Sequence, residues 1–244
     1  MSKGVFLVTG GSRGIGEAVA VAAAGAGYRV VLTYASNSAR ADAVVGRIRA
    51  TGGEVQAIRA DTGIEADIDR VFDAVEQQGR LAVLVCNAAI TGANSSLVEA
   101  SIATIDEVLN VNLRGAILCA RAAVRRMSTS RGGQGGSIVF VSSRAAVYGS
   151  AGEYVWYAAS KGGVDSLTIG LSREVAVEGI RVNAVSPGPI DTEMHRPGRL
   201  ETVASRSPLQ RAGTPAEVAD AVMFLVSPAA SYITGANVPV AGGL

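Results

Sequence analysis

The chain has 244 residues, 48% of them hydrophobic, enough for one large core near the upper size of a single domain. Its 22 Lys plus Arg nearly balance 21 Asp plus Glu, a net charge of +1, which argues against nucleic acid or another polyanion as partner. No apolar run reaches the roughly 18 residues of a membrane helix, and the N-terminal run is too short for a signal peptide, so a soluble protein without a membrane partner is expected.

Apolar, β-branched runs of strand length recur at 5–9, 28–34, 54–60, 81–87, 137–142 and 180–186, with a short last one at 237–240. They are nearly continuous rather than alternating, as parallel strands covered on both faces require. Helix-length stretches rich in Ala, Glu, Arg and Leu lie between them. The pattern predicts a doubly wound α/β fold: a parallel seven-stranded sheet with helices on both faces. Gly25 and Gly27 close the first helix. Thr214, Pro215 and Glu217 open the last long one as a capping box. Residues 130–136 read as a surface loop before the fifth strand. No linker or internal repeat divides the chain, so residues 1–244 form one domain. Cys86 and Cys119 fall in apolar stretches and read as buried free thiols, which fits a reducing cytoplasm.

After the first strand comes TGGSRGIG, residues 9–16. Gly10, Gly14 and Gly16 allow a sharp turn that brings amide N–H groups against a phosphate, and the following helix adds its positive end. Between a strand and a helix, this turn predicts a dinucleotide site. The spacing departs from G-x-G-x-x-G, and no Lys-Ser/Thr follows to make a P-loop. An NAD site needs an acid at the end of the second strand, but residues 32–40, LTYASNSAR, contain none. Arg13 in the turn, with Ser36 and Asn37, suits a 2′-phosphate instead, so NADP is expected in preference to NAD.

Further on stands EYVWYAASKGG, residues 153–163. Residues four apart share a helix face, so Tyr157 and Lys161 can approach each other. Tyr154 lies seven residues from Lys161, about 10 Å along a helix. A lysine acting on a phenol here acts on Tyr157.

The turn at 9–16, CNAA at 86–89, Asn112, Ser142–Ser143, YAASK at 157–161 and PGPIDT at 187–192 appear in register over essentially the whole chain. Together they resemble the single-domain short-chain dehydrogenases/reductases, a Rossmann-fold family. The resemblance implies that Gly10, Ser12, Arg13 and Ile15 form the pyrophosphate and 2′-phosphate wall. It implies that Asp61 binds the adenine amino group, with Thr62 beside it. Asn87 and Ala89 would line the adenosine ribose, although Cys86 and Ala89 depart from the family's Asn and Gly. Pro187, Ile190 and Thr192 would hold the nicotinamide carboxamide.

The same resemblance assigns catalysis to Asn112, Ser143, Tyr157 and Lys161. Ser142 is the minority choice of serine, because Ser143 stands one residue further from Tyr157 than expected, as an insertion at 152–156 would explain. A nearby ammonium favours phenolate, so Tyr157 is the expected general acid in reduction and base in oxidation. Ser143 would donate to the substrate oxygen. Lys161 would also bind the nicotinamide ribose, and Asn112 would hold a water behind it. The expected activity is hydride transfer between NADPH or NADP and a carbonyl or secondary-alcohol substrate. A catalytically silent NADP-binding sensor or scaffold is the alternative. Similarity extends both to sugar dehydrogenases and to 3-oxoacyl-carrier-protein reductases, and the sequence leaves that choice open. Arg121, Arg125, Arg126 and Arg131 could meet an acidic carrier, but Glu174 and Glu178 offset Arg173. Residues 189–213 read as a substrate lid. Tyr154 and Trp156 read as pocket wall or subunit contact, and Tyr148 as substrate contact or packing. His195 is the only histidine and cannot build a metal site alone, so no metal is expected. The resemblance implies that the Tyr-Lys helix packs against its copy in another subunit, so a homotetramer is expected, with a dimer second; apolar faces on that helix and near the C-terminus fit this.

Overall fold

The computed structural model describes residues 3–194 and 198–244, so His195 lies outside the described residues. Seven strands, all parallel, form one sheet in the order β3-β2-β1-β4-β5-β6-β7. They are β1 (Val5–Val8), β2 (Arg29–Tyr34), β3 (Val55–Arg59), β4 (Leu81–Cys86), β5 (Gly136–Val141), β6 (Ile180–Pro187) and β7 (Asn237–Val240).

The central strands show why their sequence is continuously apolar. In β1, Val5 and Leu7 enter one core and Phe6 and Val8 the other. Successive side chains point to opposite faces, and both faces are covered. Helices α1 (Gly14–Gly25) and α2 (Ser38–Ala50) lie on the second face, where Val19 and Val44 join Phe6. Helix α3 (Glu65–Gln78) lies on the first face, where Phe72 joins Leu7. After β4 come α4 (Ile102–Leu109), a π-helical turn (Asn110–Arg114) and α5 (Gly115–Met127). The one-turn α6 (Ala145–Tyr148) and the 21-residue α7 (Val155–Val175) follow β5. The chain ends with α8 (Arg199–Ala204), α9 (Pro215–Val226) and β7. α5 and α7 back the first face through Cys119 and Val164, and α9 backs the second through Val218.

The capping box at Thr214 forms, with Pro215 opening α9. Gly25 is the last residue of α1, not its cap; Ala26 caps it and Gly27 takes the left-handed turn at φ +86°. The loop expected at 130–136 is cut short, because Thr129–Arg131 form a 3-10 turn and Gly136 already belongs to β5. Both cysteines are buried and free. Among the described residues, no helix is long and apolar enough to cross a membrane.

Strand order reverses between β1 and β4, the crevice where open parallel sheets bind ligands beyond their carboxyl ends. The glycine turn leaves β1 at this point.

Candidate active site

The turn is built by close approach. Gly10 has φ +66°, and a Cβ there would stand 3.0 Å from Ala88 Cα. At Gly16 a Cβ would come within 2.3 Å of the Gly10 carbonyl oxygen and 2.5 Å of Asn87 Nδ2. No side chain fits either position. Asn87 occupies the space below, its Nδ2 donating to the carbonyls of Thr9 and Gly10 at 3.0 Å each. The N–H groups of Asn87 and Ala88 in turn donate to Thr9 Oγ1. Asn87 thus ties β4 to the turn, and no side chain caps the start of α1, whose first amide groups have no partner within the helix.

A cavity of about 660 Å³ opens beside the turn. Of the residues expected in a site, Ile15, Asn87, Ala89, Ser143, Tyr157, Lys161, Pro187, Ile190 and Thr192 line it. An adjoining groove of about 690 Å³ is lined by Ser12, Arg13 and Thr192. Ser36 is exposed on the loop after β2. Asp61 and Thr62 follow β3, where Asp61 Oδ1 accepts from the Gly63 N–H and Thr62 is buried. Asn37 serves as N-cap of α2, its Oδ1 accepting from the Arg40 N–H at 3.0 Å.

Tyr157 and Lys161 share one face of α7, with Lys161 Nζ 5.8 Å from the Tyr157 ring centroid. Both are buried, Lys161 to 3% exposure, and Nζ donates to the Val141 carbonyl at 2.7 Å. Burial pushes the Lys161 amine down from 10.5 to about 8, while the charges of Asp165 and Cys86 hold it up. Burial raises the Asp165 carboxyl, and hydrogen bonds from Ser142 and Asn237 with the charges of Lys161 and Arg144 oppose that rise. Asn237 Nδ2 donates to Asp165 at 2.8 Å, and Asn237 Oδ1 accepts from Ser186 Oγ at 2.7 Å. Hydrogen bonding with Cys119, together with burial, pushes the Cys86 thiol well up. The Tyr154 ring stands edge-on to Tyr157, with centroids 5.5 Å apart.

The two serines divide by strand parity. Ser142 continues β5, its N–H donating to the Val185 carbonyl, and its buried hydroxyl reaches the Lys161 carbonyl at 3.3 Å. Ser143 is half-buried at the cavity wall, and its Oγ accepts from the Ala145 N–H at 3.1 Å. Asn112 sits in the π-helical turn, 2% exposed. Its Oδ1 accepts from the Ile90 N–H, and its Nδ2 donates to the Ile90 carbonyl and to Ser160 Oγ. The amide thus joins the backbone of Ile90 to the Ser160 side chain on α7. Trp156 is buried and donates to the Thr91 carbonyl, whereas Tyr148 is 56% exposed at the rim with Arg144 stacked on its ring.

Three contributors escape a reading of the sequence. Arg40 stands beside Arg13 in the adjoining groove. Its one signal is its place in the first turn of α2, three residues after the cap. Asp165 lies one turn beyond Lys161, a spacing visible in the sequence. Asn237 comes from β7 and has no local signal. Among the described residues, no three His, Cys, Asp or Glu side chains could hold a metal ion together.

A family model described as enoyl-(acyl carrier protein) reductase matches residues 10–244. An oxidoreductase of Escherichia coli K12, itself named as uncharacterized, is 47% identical over 98% of this chain and 99% of its own. A 3-oxoacyl-[acyl-carrier-protein] reductase of Synechocystis sp. is 39% identical, covering 98% of this chain and 96% of its own. An L-rhamnose 1-dehydrogenase (NAD(P)(+)) of Sphingomonas sp. is 38% identical, covering 98% and 94%. The crystal structure of a short chain dehydrogenase from Burkholderia cenocepacia in complex with NADP superposes with a TM-score of 0.93 at 37% identity, covering 99% and 98%.

Proposed function

This chain belongs to the short-chain dehydrogenase/reductase family, and on that premise we propose that it interconverts a small carbonyl compound and its secondary alcohol with NADP(H). The observation that carries this reading is the convergence of Tyr157, Lys161 and Ser143 on one cavity beside the glycine turn.

The residues present fit a phosphorylated dinucleotide. The turn excludes side chains at Gly10 and Gly16, leaving N–H donors for the pyrophosphate. No acid ends β2, and Arg13 and Arg40 line the groove next to the cavity, a cationic site for a 2′-phosphate. Asp61 would meet the adenine, with Thr62 beside it, and Pro187, Ile190 and Thr192 the carboxamide. Bound NADPH supplies a hydride to the carbonyl carbon. Tyr157 gives its phenolic proton to the carbonyl oxygen in reduction and takes it from the alcohol in oxidation. The Lys161 ammonium stabilises the charge left on the Tyr157 oxygen and binds ribose hydroxyls. Ser143 donates a hydrogen bond to the substrate oxygen as negative charge builds there. Asn112 acts on position: it fixes Ile90 and Ser160 around the Tyr-Lys helix.

The lining of the cavity favours a free small molecule over a carrier-tethered one. Of the arginines that could meet an acidic carrier, Arg121 pairs with Glu65 and Arg126 with Asp73 and Glu76, while Arg125 and Arg131 stay exposed, so the arginines do not decide the question. The cavity carries polar groups for a hydroxylated substrate, among them Asn94, Ser150 and Arg206. Residues 189–213 would cover it. Exposed Ile117 and Ile169 on α5 and α7, with Phe224 and Tyr232 near the C-terminus, provide apolar faces for a homotetramer. The free thiols fit a reducing cytoplasm. A silent sensor would have no need of the intact Tyr157–Lys161 pair.

The test is NADPH oxidation with a panel of sugars, ketones and 3-oxoacyl thioesters, beside Tyr157→Phe. The variant should keep NADPH binding and lose about 10²- to 10⁴-fold in turnover. Unchanged turnover in the variant contradicts the mechanism.

A further inference from the structure

Glu193 occupies an unusual place in the groove beside the glycine turn. The chain leaving β6 is anchored at Ile190, which bridges to Gly213, and at Asp191, whose N–H donates to the Gly213 carbonyl at 2.8 Å. Thr192 then lies over the turn, its Cγ2 3.3 Å from where a Gly14 Cβ would be. Glu193 comes next. Its Oε2 pairs with Arg13 Nη1 at 3.8 Å and hydrogen-bonds Arg40 Nη1. One carboxylate oxygen therefore bridges two arginines from two different elements. The third arginine of that wall, Arg47, already has an acid of its own in Glu17 at 2.6 Å. Asp191 and Asp220 line the same groove, but among the described residues neither forms an ion pair with these arginines.

Two guanidinium groups converging on one oxygen make a site for a dianion. The NADP reading above places the 2′-phosphate at the same two arginines. A carboxylate and a phosphate cannot share these donors without bringing like charges into contact. We propose that Glu193 is a specificity-determining residue for the cofactor: its carboxylate competes with the 2′-phosphate for Arg13 and Arg40. A phosphorylated cofactor must displace Glu193. A non-phosphorylated one leaves the bridge intact, so the arginines stay neutralised and do not penalise it. Glu193 thereby weakens NADP binding selectively and narrows the gap between the two cofactors. Because the pairs are surface-exposed, the effect is modest and screened by salt.

This inference rests on the NADP reading, and binding measurements separate the two. Dissociation constants for NADPH and NADH are read by nucleotide fluorescence, and those for adenosine 2′,5′-bisphosphate and 5′-AMP by calorimetry, without turnover. In Glu193→Gln, NADPH and the bisphosphate should bind about three- to tenfold tighter at low salt, the gain shrinking as salt rises. NADH and 5′-AMP should shift less than about twofold, since they bind without displacing the bridge. Arg40→Ala and Arg13→Ala should each weaken NADPH and spare NADH. An unchanged or lowered NADPH preference in Glu193→Gln, with both arginine variants losing it, overturns the role of Glu193 and leaves the NADP reading standing. Arginine variants that keep the wild-type preference overturn both. Glu193→Ala, checked for an unchanged melting temperature, guards against a result particular to glutamine.

Discussion

Replacing Lys161 by methionine should make the folded protein more stable at neutral pH while removing its activity. The amine is 3% exposed, and its pKa of about 8 lies below the ordinary 10.5. A tenfold change in a protonation equilibrium is worth about 1.4 kcal/mol, so keeping this buried amine charged costs the fold about 3 kcal/mol at pH 7. Methionine conserves the length, carries no charge and forfeits only the hydrogen bond to the Val141 carbonyl, about 1 kcal/mol. The net gain at pH 7 is about 2 kcal/mol. The sign with pH follows from proton counting. Between about 8 and 10.5 the unfolded chain holds a proton that the folded one has released, so wild-type stability rises with pH across that window. The variant lacks this slope. Urea denaturation of the cofactor-free protein at pH 7.0 and 9.5 should therefore show the variant's advantage falling by about 2 kcal/mol. A difference that stays constant, or widens, refutes the view that Lys161 is a buried, strained cation.

Asp165→Asn removes the largest charge that holds the Lys161 amine up against burial; the Cys86 thiol, itself pushed well up, stays neutral near pH 7. The lysine should then lose its proton below pH 8, and turnover in reduction should begin to fall at a lower pH than in the wild type, with rates near pH 6 little changed; a pH–rate profile that does not move contradicts this. Gly16→Ala should cost about 1–3 kcal/mol in urea denaturation and most of the NADPH affinity, since its methyl meets the Gly10 carbonyl at 2.3 Å. Gly46→Ala in the interior of α2, where a Cβ meets nothing within 4 Å, should instead gain about 0.5–1 kcal/mol in the same denaturation experiment.

Much of this is legible in the sequence because it is periodic or local. The strands fall within a residue or two of the apolar runs, as both faces of each central strand are covered. The Tyr157–Lys161 pair follows from helical spacing alone. Other features depend on geometry that no window of sequence holds. That Ser142 still pairs with β6 while Ser143 has left the strand is visible only in the structure, although both line the cavity. The partners of Asn112 depend on a π-helical turn, which inserts a residue into the helix and defeats a 3.6-residue pattern. Arg40 becomes visible only once Asn37 is seen to start a helix and turn that side chain toward Arg13. Asn37 reads from the sequence as a phosphate ligand; its carbonyl oxygen also caps α2, a role that leaves the amide N–H donors a phosphate would need uncommitted.

The orientation of Asn237 adds one donor to the surroundings of Asp165. Its Oδ1 accepts from Ser186 Oγ, so its Nδ2 is the end that faces Asp165. Asp165 thus receives neutral donors, Asn237 and Ser142, rather than a directly paired cation. Neutral donors favour the ionised carboxylate without cancelling its charge. That uncancelled charge is the largest influence holding the Lys161 amine up against burial. A cation placed against Asp165 would spend the same charge locally and let the amine fall further. β7, which contributes Asn237 from 72 residues beyond Asp165, is therefore part of the electrostatics of the site. Its docking on β6 brings Asn237 to a carboxylate whose charge, in turn, acts on Lys161.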